Sequence, residues 1–325
     1  MEQGTLIQNR YRLIGLLGRG GMGEVWRAED EALGRNVAVK CLRAGVAVHD
    51  PKQAELQRER FRREARVAAG LQHPGITVVH DFGESDGVLF LVMELVDGRD
   101  LGQILDDSPG RRLSVDAAVN TARQIASALA YTHARNVIHR DLKPPNLIRT
   151  RDGGLKICDF GIARLGGGVG ITARFGDGSP VGTPCYMSPE QIDGSDLDAR
   201  SDLYSFGCVL YELLIGHPPF SVGDPLFIML DHRDTPPRPP RELRPEIPEP
   251  LARIVLDLLA KRPEDRPADA MAVLRSLNPV AATLRARPAE LPDWARGMGP
   301  VPVSLLRLAP ELRSVSELTR SWPRG

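Results

Sequence analysis

Between Val137 and Asn146 the chain reads Val-Ile-His-Arg-Asp-Leu-Lys-Pro-Pro-Asn. An acid (Asp141), a cation (Lys143) and an amide (Asn146) fall close together on a turn that Pro144 and Pro145 stiffen. Three different polar groups on a fixed loop make a poor core and a good site. A second acid, Asp159, stands eighteen residues after Asp141 in Cys158-Asp159-Phe160-Gly161. Upstream, Lys40 ends the alternating run Asn36-Val37-Ala38-Val39. Carboxylate and amide oxygens suit a hard divalent cation. With lysines to neutralise phosphate, the set suits phosphoryl transfer, a reaction catalysed mostly by positioning and charge neutralisation. The pattern lacks the His or Cys cluster of a zinc site and the nucleophile–base pair of a hydrolase.

The bulk properties narrow the class. The chain has 325 residues, 42% apolar and 26% charged, as in soluble globular proteins of two domains or one two-lobed domain. Lys plus Arg and Asp plus Glu both number 42, so net charge gives no drive towards nucleic acid or acidic membranes. Cys41, Cys158, Cys185 and Cys208 form no C-x-x-C pair, so reduced thiols and a cytoplasmic location are expected. The longest apolar run, Val88 to Val96, is interrupted by Glu94 and falls short of a membrane span. Met1-Glu2-Gln3-Gly4 has neither the basic start nor the apolar core of a signal peptide.

Several elements must position these groups. Tyr11 to Leu17 reads as a strand running into Gly18-Arg19-Gly20-Gly21-Met22-Gly23. The glycine spacing alone fits a dinucleotide site, but that site needs a helix to start at the glycines. Glu24 to Ala28 instead continues as a strand, which makes a hairpin whose backbone can lie over phosphates. Residues 51 to 71 form a helical pattern with Phe61, Ala65, Ala68 and Leu71 on one stripe. Glu64 shares that stripe, and an inward carboxylate needs a partner, for which Lys40 is the expected cation. Glu59, among Arg58, Arg60, Arg62 and Arg63, is expected to face water. Two more strands are expected at Gly75 to His80 and Val88 to Val92. A helix capped by Ser114 runs to Ala134 and delivers the chain into the Asp141 loop. Leu147-Ile148 and Leu155 to Ile157 read as a ribbon across Asp152-Gly153-Gly154, and Ser201 to Leu214 as an apolar helix.

The ordered set of motifs resembles the eukaryotic-type (Hanks-type) serine/threonine protein kinases of bacteria. It comprises the glycine hairpin, the Val-Ala-Val-Lys strand, Glu64, His-Arg-Asp-Leu-Lys-Pro-Pro-Asn, Asp-Phe-Gly, Gly182-Thr183-Pro184 and Ser188-Pro189-Glu190. That resemblance implies an α+β, two-lobed fold, with a small β-rich N-terminal lobe and a larger mainly helical C-terminal lobe. The kinase domain would span residues 1–278, with the N-lobe at 8–93, the hinge at 94–98 and the C-lobe at 99–278. It implies transfer of the ATP γ-phosphate to protein Ser/Thr hydroxyls, with Mg2+ (Mn2+ as the alternative) as cofactor. Asp141 would accept the substrate proton, with Lys143, Lys40 and Glu64 completing the catalytic set. Asn146 and Asp159 would hold the metal. Leu17, Gly18, Gly20, Gly23, Val25, Ala38, Lys40, Met93, Glu94 and Val96 would bind the nucleotide, with Met93 behind the adenine pocket. Asp202 would cap the catalytic loop, and Arg266 would pair with Glu190.

Residues 161 to 188 are glycine-rich, as expected of an activation loop, and Thr172 and Ser179 are its candidates for autophosphorylation. Thr183 reads as structural, and Arg140 as the cation facing such a phosphate. The proline-rich run from Pro236 to Pro250 reads as a connection between helices. In the tail, 279–325, Leu308, Leu312, Val315, Leu318 and Trp322 fall at helical spacing. A homodimer through the N-lobe or this tail is a further expectation. A nucleotide-binding scaffold without transfer would be expected to lack Lys40, Asp141, Asn146 or Asp159, and all four are present. A small-molecule phosphotransferase would usually lack the intact Gly-Thr-Pro and Ser-Pro-Glu segment.

Overall fold

In Arg35–Leu42 (β4), Val37, Val39 and Cys41 alternate with Ala38, Lys40 and Leu42, and the two sets enter different cores. The first set packs with Ile7, Tyr11, Leu13, Trp26, Ala28, Phe90 and Val92 on one face of a sheet. The second meets Phe61, Ala65 and Ala68 of the helix Pro51–Ala69 (α1) on the other. A sheet covered on both faces leaves Lys40 as a polar intruder among apolar neighbours, which marks it for an ionic partner.

The computed structural model describes residues 1–20, 23–42, 51–160 and 184–286. Its six-stranded antiparallel sheet runs β1-β2-β3-β4-β6-β5, from Leu6–Ile7 (β1), Tyr11–Gly20 (β2), Gly23–Asp30 (β3), β4, Val79–Ser85 (β5) and Val88–Glu94 (β6). The strand expected from Gly75 to His80 begins only at Val79. Before it, Pro74 and Gly75 form a turn and Ile76 a single parallel bridge to Ile157: Ile157 N–H donates to Gly75 O (2.9 Å) and Thr77 N–H to Ile157 O (3.0 Å). Asp86 (φ 51°) and Gly87 (φ 75°) make the tight turn into β6.

A smaller sheet joins Gly98–Asp100 (β7), Leu147–Thr150 (β8) and Leu155–Ile157 (β9). The helices that follow are Leu101–Asp106 (α2), Val115–His133 (α3), Pro189–Asp193 (α4), Ala199–Ile215 (α5), Pro225–Asp234 (α6), Pro240–Leu243 (α7), Glu249–Leu258 (α8) and Ala270–Ala286 (α9). Fourteen consecutive residues of α5, Ser201 to Leu214, are buried, so α3, α7 and α8 pack around a central helix. Arg244, itself buried, donates from Nη1 to the carbonyls of Leu113 and Leu214, both at 2.8 Å. The run from Pro236 to Pro250 holds α7 and the start of α8, a connection between helices as expected. Helix α9 passes through Pro279 to Ala286, beyond residue 278. Residues Met1–Leu284 form one compact unit.

Candidate active site

The Asp141 loop hangs from α5. Ser114 Oγ accepts from Ala117 N–H (3.2 Å) to cap α3, whose far end leads through Asn136 (φ 57°) to His139. There Asp202 accepts from the backbone N–H of His139 (2.7 Å) and Arg140 (2.8 Å), and from His133 Nε2 (2.8 Å). The two amides hold Arg140 at φ 67°, a conformation that a non-glycine residue keeps only when its surroundings fix it. Burial pushes the Asp202 carboxyl up, but its bond to His133 and the nearby His139 outweigh this and leave it below the ordinary carboxylate range.

His139 is buried and uses both ring nitrogens. Nδ1 accepts from Asp141 N–H (3.2 Å) and Nε2 donates to Cys158 O (2.9 Å), which together select one tautomer. Its ring meets Phe160 edge-on, with centroids 4.8 Å apart. Gln191 Nε2 donates to Arg140 O (2.8 Å) from α4, so the loop is held from three sides.

On this scaffold the polar groups converge. Asp141 Oδ2 lies 2.8 Å from Lys143 Nζ. Asn146 Nδ2 donates to Asp141 O (2.8 Å) and Oδ2 (3.3 Å), which leaves its Oδ1 to accept or ligate. Cys158 N–H donates to the main-chain carbonyl of Asn146 (2.9 Å), which ties the residue before Asp159 to the catalytic loop. Asp159, at φ 60°, sets Oδ1 3.0 Å from Lys40 Nζ. Carboxylate and amide oxygens suit a hard divalent cation, and Asp159 and Asn146 are the residues that would hold it.

The expected Lys40–Glu64 ion pair is a correction. Among the described residues Lys40 pairs with Asp159, and Glu64 Oε1 lies 3.9 Å from Arg140 Nη1. The reasoning that an inward carboxylate needs a cation holds, but the sequence could not show that a guanidinium from the distant loop also reaches it.

The glycines form a hairpin, not a helix start: Gly18 pairs with Val25, Arg19 with Glu24 and Gly20 with Gly23. A Cβ on Gly23 (φ 136°) would sit 2.1 Å from Cys41 O, so packing demands glycine there. A Cβ on Gly18 or Gly20 would meet nothing within 4 Å. Register then sets Val25, Lys40 and Leu91 in one row and Ala38 beside Met93 in the next. Leu17 is exposed at the hairpin's edge, while Ala38 and Met93 are buried. A small cleft lies among Lys40, Phe61, Leu71, Leu91, Met93, Asp159 and Phe160.

At the end of β6, Glu94 N–H donates to Val78 O (2.8 Å), and its side chain takes Lys156 Nζ (2.9 Å) and Val78 N–H (3.3 Å). Lys156, Gln191 and His133 are site-supporting residues that the sequence reading missed. Each acts across more than fifty residues, where no local period points. Asp202 and the bidentate Arg266–Glu190 pair (2.7 and 2.9 Å) take the places expected of them. Thr172, Ser179, Thr183 and the helical spacing from Leu308 to Trp322 lie outside the described residues.

Comparison with known proteins agrees with this geometry. Residues 11–277 match the protein kinase domain family. PknB of Mycobacterium leprae, a serine/threonine-protein kinase, is 42% identical over 266 residues, covering 80% of this chain and 41% of that protein. PknA of Mycobacterium tuberculosis, another, is 40% identical, covering 84% of this chain and 63% of that protein. The chain therefore spans less than two thirds of the length of either relative. The crystal structure of the Mycobacterium tuberculosis PknI kinase domain aligns with a TM-score of 0.69 at 30% identity, covering 87% of this chain and 99% of that one. The family works with ATP and a divalent metal. With the loop hung on Asp202, the glycine hairpin, the two-lobed order of elements and the match over residues 11–277 all in agreement, the chain belongs to the protein kinase domain family.

Proposed function

We propose that this chain is a serine/threonine protein kinase that transfers the ATP γ-phosphate to hydroxyls of other proteins and of itself. The observation that carries the reading is the Asp141 carboxylate, 2.8 Å from Lys143 Nζ and 3.3 Å from Asn146 Nδ2, together with the Lys40–Asp159 pair. Asp141 accepts the proton of the attacking hydroxyl, and Lys143, 2.8 Å away, offsets charge where hydroxyl and phosphate meet. Magnesium, or manganese in its place, would screen the phosphate oxygens from Asp159 and Asn146. Lys40 anchors phosphate from the sheet, and the Gly18 and Gly20 backbone lies over it. The adenine rests between Ala38, Met93 and Leu17, its edge against the backbone of Glu94 and Val96.

Regulation follows from the corrected ion pairs. A phosphate on Thr172 or Ser179 competes with Glu64 for Arg140, since a dianion attracts a guanidinium more strongly than a carboxylate does. Glu64 would then turn to Lys40, leaving Asp159 free to hold the metal with Asn146. The reading also takes the chain as cytoplasmic, supported by its four free thiols, and as a homodimer through the N-lobe or the tail. No helix among the described residues is long and apolar enough to cross a membrane.

The test incubates purified protein with Mg-ATP beside Asp141→Asn and maps phosphosites by mass spectrometry. Phosphate on Thr172 or Ser179 in the wild type alone is the expected result. ATP binding without phosphate anywhere would overturn the kinase reading in favour of a nucleotide-binding scaffold.

A further inference from the structure

Lys261 follows α8 and takes no part in the site above. Its ammonium donates to the carbonyls of Asp231 (3.0 Å) and His232 (2.8 Å) in the last turns of α6, and to Tyr204 Oη (3.5 Å). It also lies 4.5 Å from the centre of the Phe220 ring. Three donors thus meet three acceptors, and a cation stands at the negative end of a helix.

The contacts continue inward. Tyr204 and His232 are fully buried, with Tyr204 Oη 2.9 Å from His232 Nδ1. The other ring nitrogen of His232, Nε2, makes no hydrogen bond. Cys185 opens the stretch that joins Gly182-Thr183-Pro184 to α4. From below, α5 holds the same stretch: Ser205 Oγ donates to Tyr186 O (2.7 Å), and Glu212 accepts from Tyr186 Oη (2.5 Å).

We propose that Lys261 is a positioning residue for the polypeptide acceptor. By tying the end of α6 to Tyr204 on α5, whose neighbour Ser205 holds Tyr186 O, it fixes the surface against which the acceptor rests. The inference rests on the protein-kinase reading above.

The groups that face Lys261 are Tyr204 and Cys208 on α5, Asp231, His232 and Asp234 on α6, and Arg266, itself bound to Glu190. Burial pushes the ammonium down to about 8, helped by Arg266 and opposed by Cys208, Asp231 and Asp234. Above that pH the residue gives up its charge and one donor. The sign of the stability change separates this from unfolding. A lysine whose folded value lies below the ordinary 10.5 leaves the unfolded state holding more protons between the two values. Raising the pH through that window therefore favours the fold while it weakens the tie.

The experiment measures kcat and KM for an acetylated serine peptide, free of Cys and Tyr, from about pH 7 to 9.5. It compares wild type, Lys261→Met and Lys261→Arg. Lys261→Met should raise the peptide KM about tenfold, with kcat and the ATP KM within about twofold, and Lys261→Arg should restore most of the loss. The wild-type peptide KM should climb above pH 8, while that of Lys261→Arg, which keeps its proton, should stay level. An unchanged peptide KM in Lys261→Met, or a parallel fall in ATP affinity, overturns the positioning role. If Lys261→Met does not fold, the pH comparison of wild type and Lys261→Arg decides alone, and equal slopes refute the role. A wild type that transfers no phosphate refutes the kinase reading itself.

Discussion

Replacing Asp202 by Asn tests whether the catalytic loop depends on a single buried carboxylate. Asp202 is 1% exposed and accepts three hydrogen bonds, from His133, His139 and Arg140. Asparagine keeps one carbonyl oxygen, loses the charge and turns an NH2 towards three donors. At least one buried amide is left without an acceptor, which costs about 1–3 kcal/mol. The surviving bonds also lose their charge assistance, so about 3 kcal/mol in total is expected. For a domain of this size that lowers Tm by about 6–12 °C. Because the strained Arg140 loses its hold, kcat should fall more than the ATP KM rises. Thermal melts followed by circular dichroism, with kinetics on the same preparations, provide the measurement. The pH dependence carries a second check. The Asp202 carboxyl lies below its ordinary 3.8, so its contribution is complete above that value and lost as the pH falls towards the folded one. A variant that melts within about 2 °C of wild type and turns over normally would refute the reasoning.

Other perturbations bear on neighbouring claims. Gly23→Ala drives a Cβ into Cys41 O at a strained φ and should cost about 1–3 kcal/mol, measured by denaturant titration. Gly18→Ala should leave stability within about 0.5 kcal/mol and raise the ATP KM, since its Cβ meets only the space over the phosphates. Burial, aided by Lys261 and opposed by the Cys185 carbonyl, pushes the His232 imidazole from 6.5 down to about 3. The unfolded chain therefore holds the extra proton in that window, and stability should fall as the pH drops from about 6.5 to 5. In His232→Gln that slope should flatten, as read from urea midpoints at each pH.

Much of this was legible in the sequence, for identifiable reasons. The alternation in Val37 to Leu42 has period two, and burial on both faces obeys it directly. The glycine hairpin could be told from a dinucleotide turn because Glu24-Val25-Trp26 continued as a strand. The loop residues Asp141, Lys143 and Asn146 are neighbours in the chain, so their convergence needs only a tight turn. The failures have the opposite character. Lys40 had two carboxylates within reach, and the choice between Glu64 and Asp159 depends on how α1 sits against a loop seventy-six residues away from Glu64. The strand expected from Gly75 shrinks to a turn and one bridge before Val79, because Ile76 pairs with Ile157, eighty-one residues on. Local pattern fixes conformation; it does not name the partner.

The suspension of the catalytic loop from Asp202 has an evolutionary consequence. The carboxylate grips the backbone amides of residues 139 and 140, and the Arg140 side chain plays no part in that grip. A backbone handle asks of the side chain only that it tolerate φ 67°, so position 140 can change among unbranched side chains while the geometry at Asp141 is retained. The guanidinium proposed above to answer phosphorylation can thus be lost or regained by single substitutions without rebuilding the catalytic loop. Control and chemistry share one turn of chain yet can be inherited as separate traits.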